Sequence, residues 1–144
     1  MAKDGREELI RGLNEDLANE YTAIISYMLF SRLVSGAHRL DLMGFLEGEI
    51  VDELEHAKFL SQKIVALGGM PTTEPKPVTL SQNNREMLEI SLKAEKETIV
   101  RYTERIRQAE ELGELGLKVE LENLVMEETH HKEDLERMLM GWRD

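Results

Sequence analysis

Residues 53–56 of this chain read Glu-Leu-Glu-His, and residues 128–131 read Glu-Thr-His-His. A spacing of three places the glutamate and the histidine of each motif on one face of a helix. In both segments that face is the apolar one, so the pattern predicts ionisable side chains that point into a core. Buried charge without a partner is very costly, and the arrangement therefore predicts a bound cation.

Two further helical segments each place one glutamate on an apolar row. Glu20 follows Leu17, and Glu95 follows Leu92, in rows that both continue with isoleucine. Four carboxylates and two imidazoles that face one another inside a helical bundle describe a two-metal carboxylate site. The predicted metal ligands are Glu20, Glu53, His56, Glu95, Glu128 and His131.

The fourth helical segment contains two overlapping motifs, because both His130 and His131 have a glutamate three residues earlier. Glu128 and His131 interrupt an otherwise apolar row, whereas Glu127 and His130 share a face with charged and polar residues. We therefore assign the ligands to Glu128 and His131. An internal salt bridge is the alternative explanation for glutamates in core rows, but we expect no lysine or arginine on these rows.

Two kinds of side chain lie beside the predicted ligands. Glu49 precedes Glu53 by about one helical turn, where it would either bind a metal ion in transit or face a cavity or water. The sequence favours neither interpretation. Tyr27 and Tyr102 are most simply core aromatics, and their closeness to the carboxylates also favours a hydrogen bond from either of them to a ligand.

Helical periodicity predicts four long helices, at residues 5–34, 40–67, 81 or 83–112 and 114–140. The first and last connections are short, so the helices that they join should be antiparallel. Segment 68–80 is the only long connection, and it contains all three prolines. Fully extended, it spans roughly 40 Å, the length of a helix of about 27 residues. We predict one all-α domain over residues 1–144, a four-helix bundle with one long crossover between helices two and three.

Composition narrows the chemistry and the partners. The formal net charge is −11, which disfavours nucleic-acid binding, since that rests on lysine and arginine at phosphates. There is no cysteine, so disulfides and thiolate metal centres are excluded and histidine and carboxylate ligands suit iron or manganese. No apolar stretch reaches membrane-spanning length and no signal core follows the N-terminus. We expect a cytoplasmic protein with no membrane partner.

Segments 19–24, 52–57, 87–106 and 127–131 resemble the ferritin superfamily, and bacterioferritin most closely. The resemblance covers essentially the whole chain. It implies a site of two iron ions per subunit, with manganese or zinc as substitutes. The implied ligand roles are terminal ligation of one iron by Glu20 and His56, terminal ligation of the other by Glu95 and His131, and bridging by Glu53 and Glu128.

The same resemblance implies roles for residues around the ligands. Asp52 and Glu127 each precede a bridging glutamate and look like the family's acceptors for the ligand histidines. Tyr27 matches the family's tyrosine beside the site. Leu54 stands where bacterioferritin supplies a methionine to haem, and because leucine cannot ligate iron we expect no haem.

The resemblance also implies a function and an assembly. It predicts a ferroxidase that oxidises Fe(II) with dioxygen or hydrogen peroxide and stores the product in a homo-oligomeric shell. The chain ends at Asp144, before the short fifth helix of 24-subunit ferritins, so 12 subunits, as in Dps-like relatives, are slightly favoured over 24. Exposed apolar side chains are expected to be buried against other subunits; examples are Phe30, Leu33, Met43 and Phe45.

Two other classes of function compete with this prediction. One is a different redox enzyme on the same scaffold, such as a rubrerythrin-like peroxidase or a manganese catalase. The absence of a cysteine-rich electron-transfer segment counts against the rubrerythrin-like alternative. The other class is a non-enzymatic interaction module, which the burial of six ligand-type residues disfavours.

Overall fold

The structure is a computed structural model that describes residues 2–143, with side chains from residue 5 onward. Its four α-helices are α1 (Ala2–Leu33), α2 (Arg39–Ala66), α3 (Asn84–Glu111) and α4 (Leu115–Leu139). No β-strand occurs between residues 2 and 143. The all-α prediction is confirmed, and each helix lies within a few residues of its expected bounds. Among the helices of this described range, none is long and apolar enough to cross a membrane.

The helices form two antiparallel hairpins that pack on one another. α1 packs mainly against α2, α3 mainly against α4, and α1 also packs against α3. Asp16 on α1 contacts Arg105 on α3, whereas Tyr27 further along α1 contacts Glu95 earlier on α3. α1 and α3 are therefore antiparallel. Because the short turn makes α2 antiparallel to α1, α2 and α3 are parallel, as the crossover prediction requires.

The long connection between α2 and α3 is fixed along α1 by hydrogen bonds. The Thr72 backbone N–H donates to the Asn14 side chain at 2.8 Å. The Tyr21 hydroxyl donates to the Thr72 carbonyl at 3.0 Å, and the Thr22 hydroxyl donates to the Lys76 carbonyl at 2.8 Å. The linker thus has an ordered path along the side of the bundle, although it contains no regular secondary structure.

Local signals at the helix ends explain where the elements begin and stop. Gly68 follows the last turn of α2 with φ of 92°, a left-handed conformation that glycine adopts without steric cost. Gly113 has φ of 73° in the short turn between α3 and α4. At the start of α3, the Asn83 side chain accepts a hydrogen bond from the Glu86 backbone N–H at 2.8 Å.

Two apolar clusters fill the bundle, and a polar layer separates them. One cluster is built around Leu13, Leu17 and Leu60, and the other around Phe30 and Leu88. The expectation that Phe30 faces outward is wrong, since it is fully buried. Phe30 follows Tyr27 by three residues, and that spacing keeps both rings on the inner face of α1.

One buried ion pair lies within the bundle away from the predicted ligands. The Arg105 Nε donates to Asp16 Oδ2 at 2.9 Å, and Arg101 Nε lies 3.6 Å from Asp16 Oδ1. A side chain at Gly12 would collide with the Arg105 guanidinium, so the glycine leaves the space that the pair occupies. The expectation that no arginine lies on a core row is therefore wrong for Arg105, which is 6% exposed.

Candidate metal centre

The structure brings all six predicted ligands together in the polar layer between the two apolar clusters. None is more than 6% exposed. α1 and α3 each contribute one glutamate, while α2 and α4 each contribute a glutamate and a histidine one turn apart. The residues placed there are Glu20, Glu53, His56, Glu95, Glu128 and His131.

These side chains form two groups that share one member. In each group, one nitrogen or oxygen atom from each of four residues lies within 4.8 Å of the others, a separation suited to one metal ion. Glu53 belongs to both groups, so its carboxylate lies between the two positions. The first group is Glu20, Glu53, His56 and Glu128, and the second is Glu49, Glu53, Glu95 and His131.

The two histidines are held in the same way from opposite helices. Nε2 of His56 on α2 lies 2.5 Å from Oε2 of Glu127 on α4. Nε2 of His131 on α4 lies 2.9 Å from Oδ2 of Asp52 on α2. A carboxylate at Nε2 favours the tautomer that carries its proton there, which leaves Nδ1 as the atom that faces the centre. The residues that resemble the family's histidine acceptors thus lie against the histidines.

The inward-facing Nδ1 atoms are surrounded by carboxylates. Nδ1 of His56 lies 2.9 Å from Glu128, 3.6 Å from Glu53 and 3.9 Å from Glu20. Nδ1 of His131 lies 2.9 Å from Glu49. Its further carboxylate neighbours, at 3.4 to 3.8 Å, are Glu53, Glu95 and Glu128.

Every predicted ligand has a buried nitrogen or oxygen atom without a hydrogen-bond partner. Glu49, whose role the sequence left open, has one as well. Buried polar atoms are nearly always paired, so a cluster of unpaired ones that face one another is suited to holding a cation. The donors are carboxylate oxygen and imidazole nitrogen, which suit iron or manganese. These residues therefore fit a di-metal centre, and one oxygen of Glu49 lies in the same cluster of unpaired atoms.

Two buried tyrosines orient the glutamates of α1 and α3. The Tyr27 hydroxyl donates to Glu95 Oε1 at 2.5 Å, and the Tyr102 hydroxyl donates to Glu20 Oε1. Burial, followed by the surrounding carboxylate charges, raises the pKa of both tyrosines well above the ordinary value. Both hydroxyls consequently remain protonated donors at neutral pH. Each tyrosine comes from the helix opposite the glutamate that it holds.

The electrostatics of the centre favour bound protons when no metal compensates the carboxylates. Burial, with the charge of Glu128, raises the pKa of Glu53 to about 7. Burial and the neighbouring Glu53 raise the pKa of Glu20 well above its ordinary value. Burial alone would lower the pKa of His56, but the adjacent carboxylate of Glu128 and the charge of Glu20 raise it to about 9. Metal binding would displace these protons.

The site contains an internal repeat that relates the first hairpin to the second. Each hairpin supplies one glutamate from its first helix, one Glu-x-x-His motif from its second, and one tyrosine. The same spacing along the chain relates all of these pairs, which are Glu20 and Glu95, Tyr27 and Tyr102, Glu53 and Glu128, and His56 and His131. The repeat is visible in the residue numbers, and it relates the ligands of one metal position to those of the other.

A small cavity reaches the centre from the face formed by α1 and α3. Its volume is about 60 Å³, with Tyr27, Glu53 and Glu95 at the inner end and Asn19 and Glu97 nearer the surface. This volume holds a water molecule or a diatomic molecule. The centre therefore has a path to solvent although its ligands are buried.

A four-helix bundle with paired carboxylates and histidines at its middle defines the class of di-metal carboxylate proteins. The chain belongs to the ferritin family, whose model, described as a ferritin-like domain, matches residues 10–143. It is 30% identical over 136 residues to bacterioferritin from Mycobacterium bovis, covering 94% of this chain and 86% of that one. The family expectation is therefore confirmed.

Two solved structures extend the comparison. A ferritin-like, diiron-carboxylate protein from Bacillus anthracis str. Ames superposes with a TM-score of 0.93 at 49% identity, covering 94% of this chain and 97% of that one. A dodecameric thioferritin from Bacteroides fragilis, related to bacterioferritin, superposes with a TM-score of 0.86 at 25% identity, covering 94% and 86%. The helical bundle is thus shared with both proteins, one of which is described as a diiron-carboxylate protein.

Proposed function

We propose that this protein is a ferroxidase that oxidises Fe(II) to Fe(III) at the central site and stores the product within an oligomeric shell. One observation carries the proposal. Two four-residue groups share Glu53, lie buried between apolar clusters, and present ligand atoms that have no hydrogen-bond partner. Membership of the ferritin family and the likeness to a diiron-carboxylate protein support iron as the metal.

Each residue of the centre has a role in this proposal. Glu20 and His56 hold one ion, Glu95 and His131 hold the other, and Glu53 and Glu128 lie between them. Two iron ions held there would together supply two electrons to dioxygen or hydrogen peroxide. The surrounding residues keep the ligands in place. Tyr102 holds Glu20 and Tyr27 holds Glu95. Glu127 holds His56 and Asp52 holds His131.

The protein stabilises the oxidised product electrostatically. The clustered glutamates carry negative charge in a buried layer, where charge interactions are stronger than in water. Negative ligands favour a trivalent ion over a divalent one, and this lowers the free energy of electron loss. The apolar clusters on either side exclude bulk water, while the cavity lined by Tyr27 and Glu95 admits a small oxidant.

Storage requires more than one copy of the chain, because a single bundle encloses no space for mineral. The dodecameric Bacteroides fragilis relative supports a shell. Exposed apolar residues on the helices supply surface that other copies would cover. Examples are Leu40 at 74%, Val51 at 62% and Val65 at 60% exposure.

Anaerobic Co²⁺ titration and stopped-flow Fe(II) oxidation test the proposal. We expect two Co²⁺ ions bound per chain and an oxidation rate well above that of buffer, with loss of both in Glu53→Gln. Glu55→Gln is the matched control, since Glu55 lies on the same helix and is exposed. Wild-type protein that binds no Co²⁺, or that oxidises Fe(II) no faster than buffer, would contradict the proposal.

A further inference from the structure

We propose that Glu49 is a seventh metal ligand that serves only the His131 position, so the two metal positions are inequivalent and the His131 position fills first. The inference rests on the proposed two-metal site and adds an order of binding to it. In this proposal Glu49 sets the metal affinity of the His131 position and does not merely bind an ion in transit.

The contact between Glu49 and His131 is the first observation that supports the inference. Oε2 of Glu49 lies 2.9 Å from Nδ1 of His131, and Glu49 is 6% exposed. The two atoms lack hydrogen-bond alignment, and both are buried without a partner. Two unpaired ligand atoms this close to one another point at the same position, which a cation would occupy.

The number of carboxylates differs between the two positions. Within 4.0 Å, Nδ1 of His131 has four carboxylate neighbours, and Nδ1 of His56 has three. Glu53 and Glu128 approach both histidines, and Glu20 and Glu95 are equivalent to one another in the internal repeat. The difference is therefore Glu49 alone.

The internal repeat shows that this difference is built into the chain. The spacing that relates Glu53 to Glu128 also relates Glu49 to Leu124. Leu124 is 6% exposed and belongs to an apolar cluster. The His56 position consequently lacks a fourth carboxylate neighbour, because an apolar side chain stands at the corresponding place on α4.

The added carboxylate has a predictable effect on affinity. A further negative ligand next to a divalent cation strengthens binding through direct coordination and through charge in a buried layer. Loss of a group that merely orients a ligand typically lowers metal affinity roughly 10- to 100-fold. We expect removal of Glu49 to lower affinity at the His131 position by at least that factor and to leave the His56 position within about threefold.

Anaerobic Co²⁺ titration of the purified protein, followed by calorimetry and visible absorption, tests the inference. Wild-type protein should bind two ions in two steps, and Glu49→Gln should bind the first ion more weakly so that the steps merge. Glu49→Leu copies the residue found at position 124 and guards against an amide ligand in the first variant. Glu47→Gln is the control, because Glu47 lies on the same helix and pairs with Arg32 at 2.8 Å.

Combination with histidine variants locates the effect. In a His56→Ala background, Glu49→Gln should weaken the remaining site, whereas in a His131→Ala background it should change little. Equal two-step binding in wild type and both Glu49 variants would overturn the inference and leave the proposed function intact. An equal effect of Glu49→Gln in both backgrounds would also overturn it, and a wild-type protein without Co²⁺ binding would overturn both proposals.

Discussion

His130 and His131 are adjacent in the sequence but have different environments. His131 is 6% exposed, and its Nδ1 faces the glutamates of the centre. His130 is exposed on the outer side of α4. Two consecutive residues on a helix point about 100° apart because one turn takes 3.6 residues. Only one of them can therefore reach the centre, although both have a glutamate three positions earlier.

The variant His131→Ala should strongly reduce tight Co²⁺ binding at one of the two positions, because it removes the imidazole nitrogen that faces four carboxylates. His130→Ala should leave the titration almost unchanged and serves as the matched control. Co²⁺ absorption per chain measures both variants. An equal loss in the two variants, or a greater loss in His130→Ala, would contradict the assignment.

The predicted ligands could be recognised in the sequence because helix periodicity reveals where a charged residue interrupts an apolar row. Glu128 and His131 are such residues, and both are buried. The same reasoning missed Arg105, although it follows Tyr102 by three residues on an inner face. Its partner Asp16 lies on another helix, and the register between α1 and α3 depends on tertiary packing that one-helix patterns do not contain.

The pairing of α1 with α3 includes a charged contact as well as apolar ones. Asp16 is fully enclosed, and burial raises its pKa to about 7 against the opposing effects of Arg105 and Arg101. The Arg105 side chain bonds to Asp16 and to Gln108 at 3.0 Å. Removing one partner of a buried pair is costly because the other charge is left without compensation.

We expect Arg105→Met to lower the free energy of unfolding by roughly 3–5 kcal/mol, because Asp16 loses its hydrogen-bonded partner. The double variant Asp16→Leu/Arg105→Met, which removes both charges, should recover much of that loss. Urea unfolding of the two variants and of wild type measures the difference. A double variant no more stable than the single one would show that the cost lies in packing and not in charge.

Sequence patterns predicted the bounds of the helices well, but they predicted the contacts between the helices and the linker less well. The proline-containing linker was long enough to run along the bundle, and the structure shows it hydrogen-bonded to α1 through Asn14 and Tyr21. Those bonds were not predictable, since a polar side chain on a helix surface has many potential partners. Phe30 was misplaced for a related reason, because the choice of inner face depends on where the neighbouring helix lies.

The whole molecule should be least stable without metal at high pH. The folded-state pKa of Glu53 is raised to about 7 and that of His56 to about 9. The folded protein therefore binds more protons than the unfolded chain, so stability declines as pH rises from about 4.5 to about 9. Glu128 opposes this trend, since the two histidines beside it outweigh the effect of burial and lower its pKa.

Thermal melts of metal-free and Co²⁺-saturated protein between about pH 5 and about pH 9 test this expectation. The metal-free midpoint should fall across that range, and the stabilisation by metal should increase with pH because protons no longer compete for the ligands. Glu53→Gln, which removes a titrating group at the centre, should flatten the metal-free profile. Identical midpoints with and without saturating metal would argue against a buried site.

Assembly depends on the surface that is exposed on a single chain. We expect a closed homo-oligomer, with 12 subunits slightly favoured over 24. Native mass spectrometry measures the number of subunits directly. A monomer or an isolated dimer as the only species would contradict storage and leave a di-iron oxidase without a shell.

Charge on the α2 surface should disturb that oligomer. Leu54 is 45% exposed on α2, so Leu54→Glu should shift the protein toward smaller species if this helix lies in a subunit contact. Val100→Glu on α3, at a residue 70% exposed, is a control for the added charge alone. An unchanged mass for Leu54→Glu would place the contact elsewhere on the surface.

The internal repeat has a consequence for how such a protein can change over generations. If two identical hairpins met to make this centre, every mutation would occur twice, once on each side of the two-fold axis. Here the linker between α2 and α3 joins the two hairpins into one chain, in which each hairpin has its own codons. A codon change therefore alters one hairpin and leaves the other unchanged. Glu49 and Leu124 stand at equivalent places and differ. Covalent joining thus allows natural selection to tune two neighbouring half-sites independently.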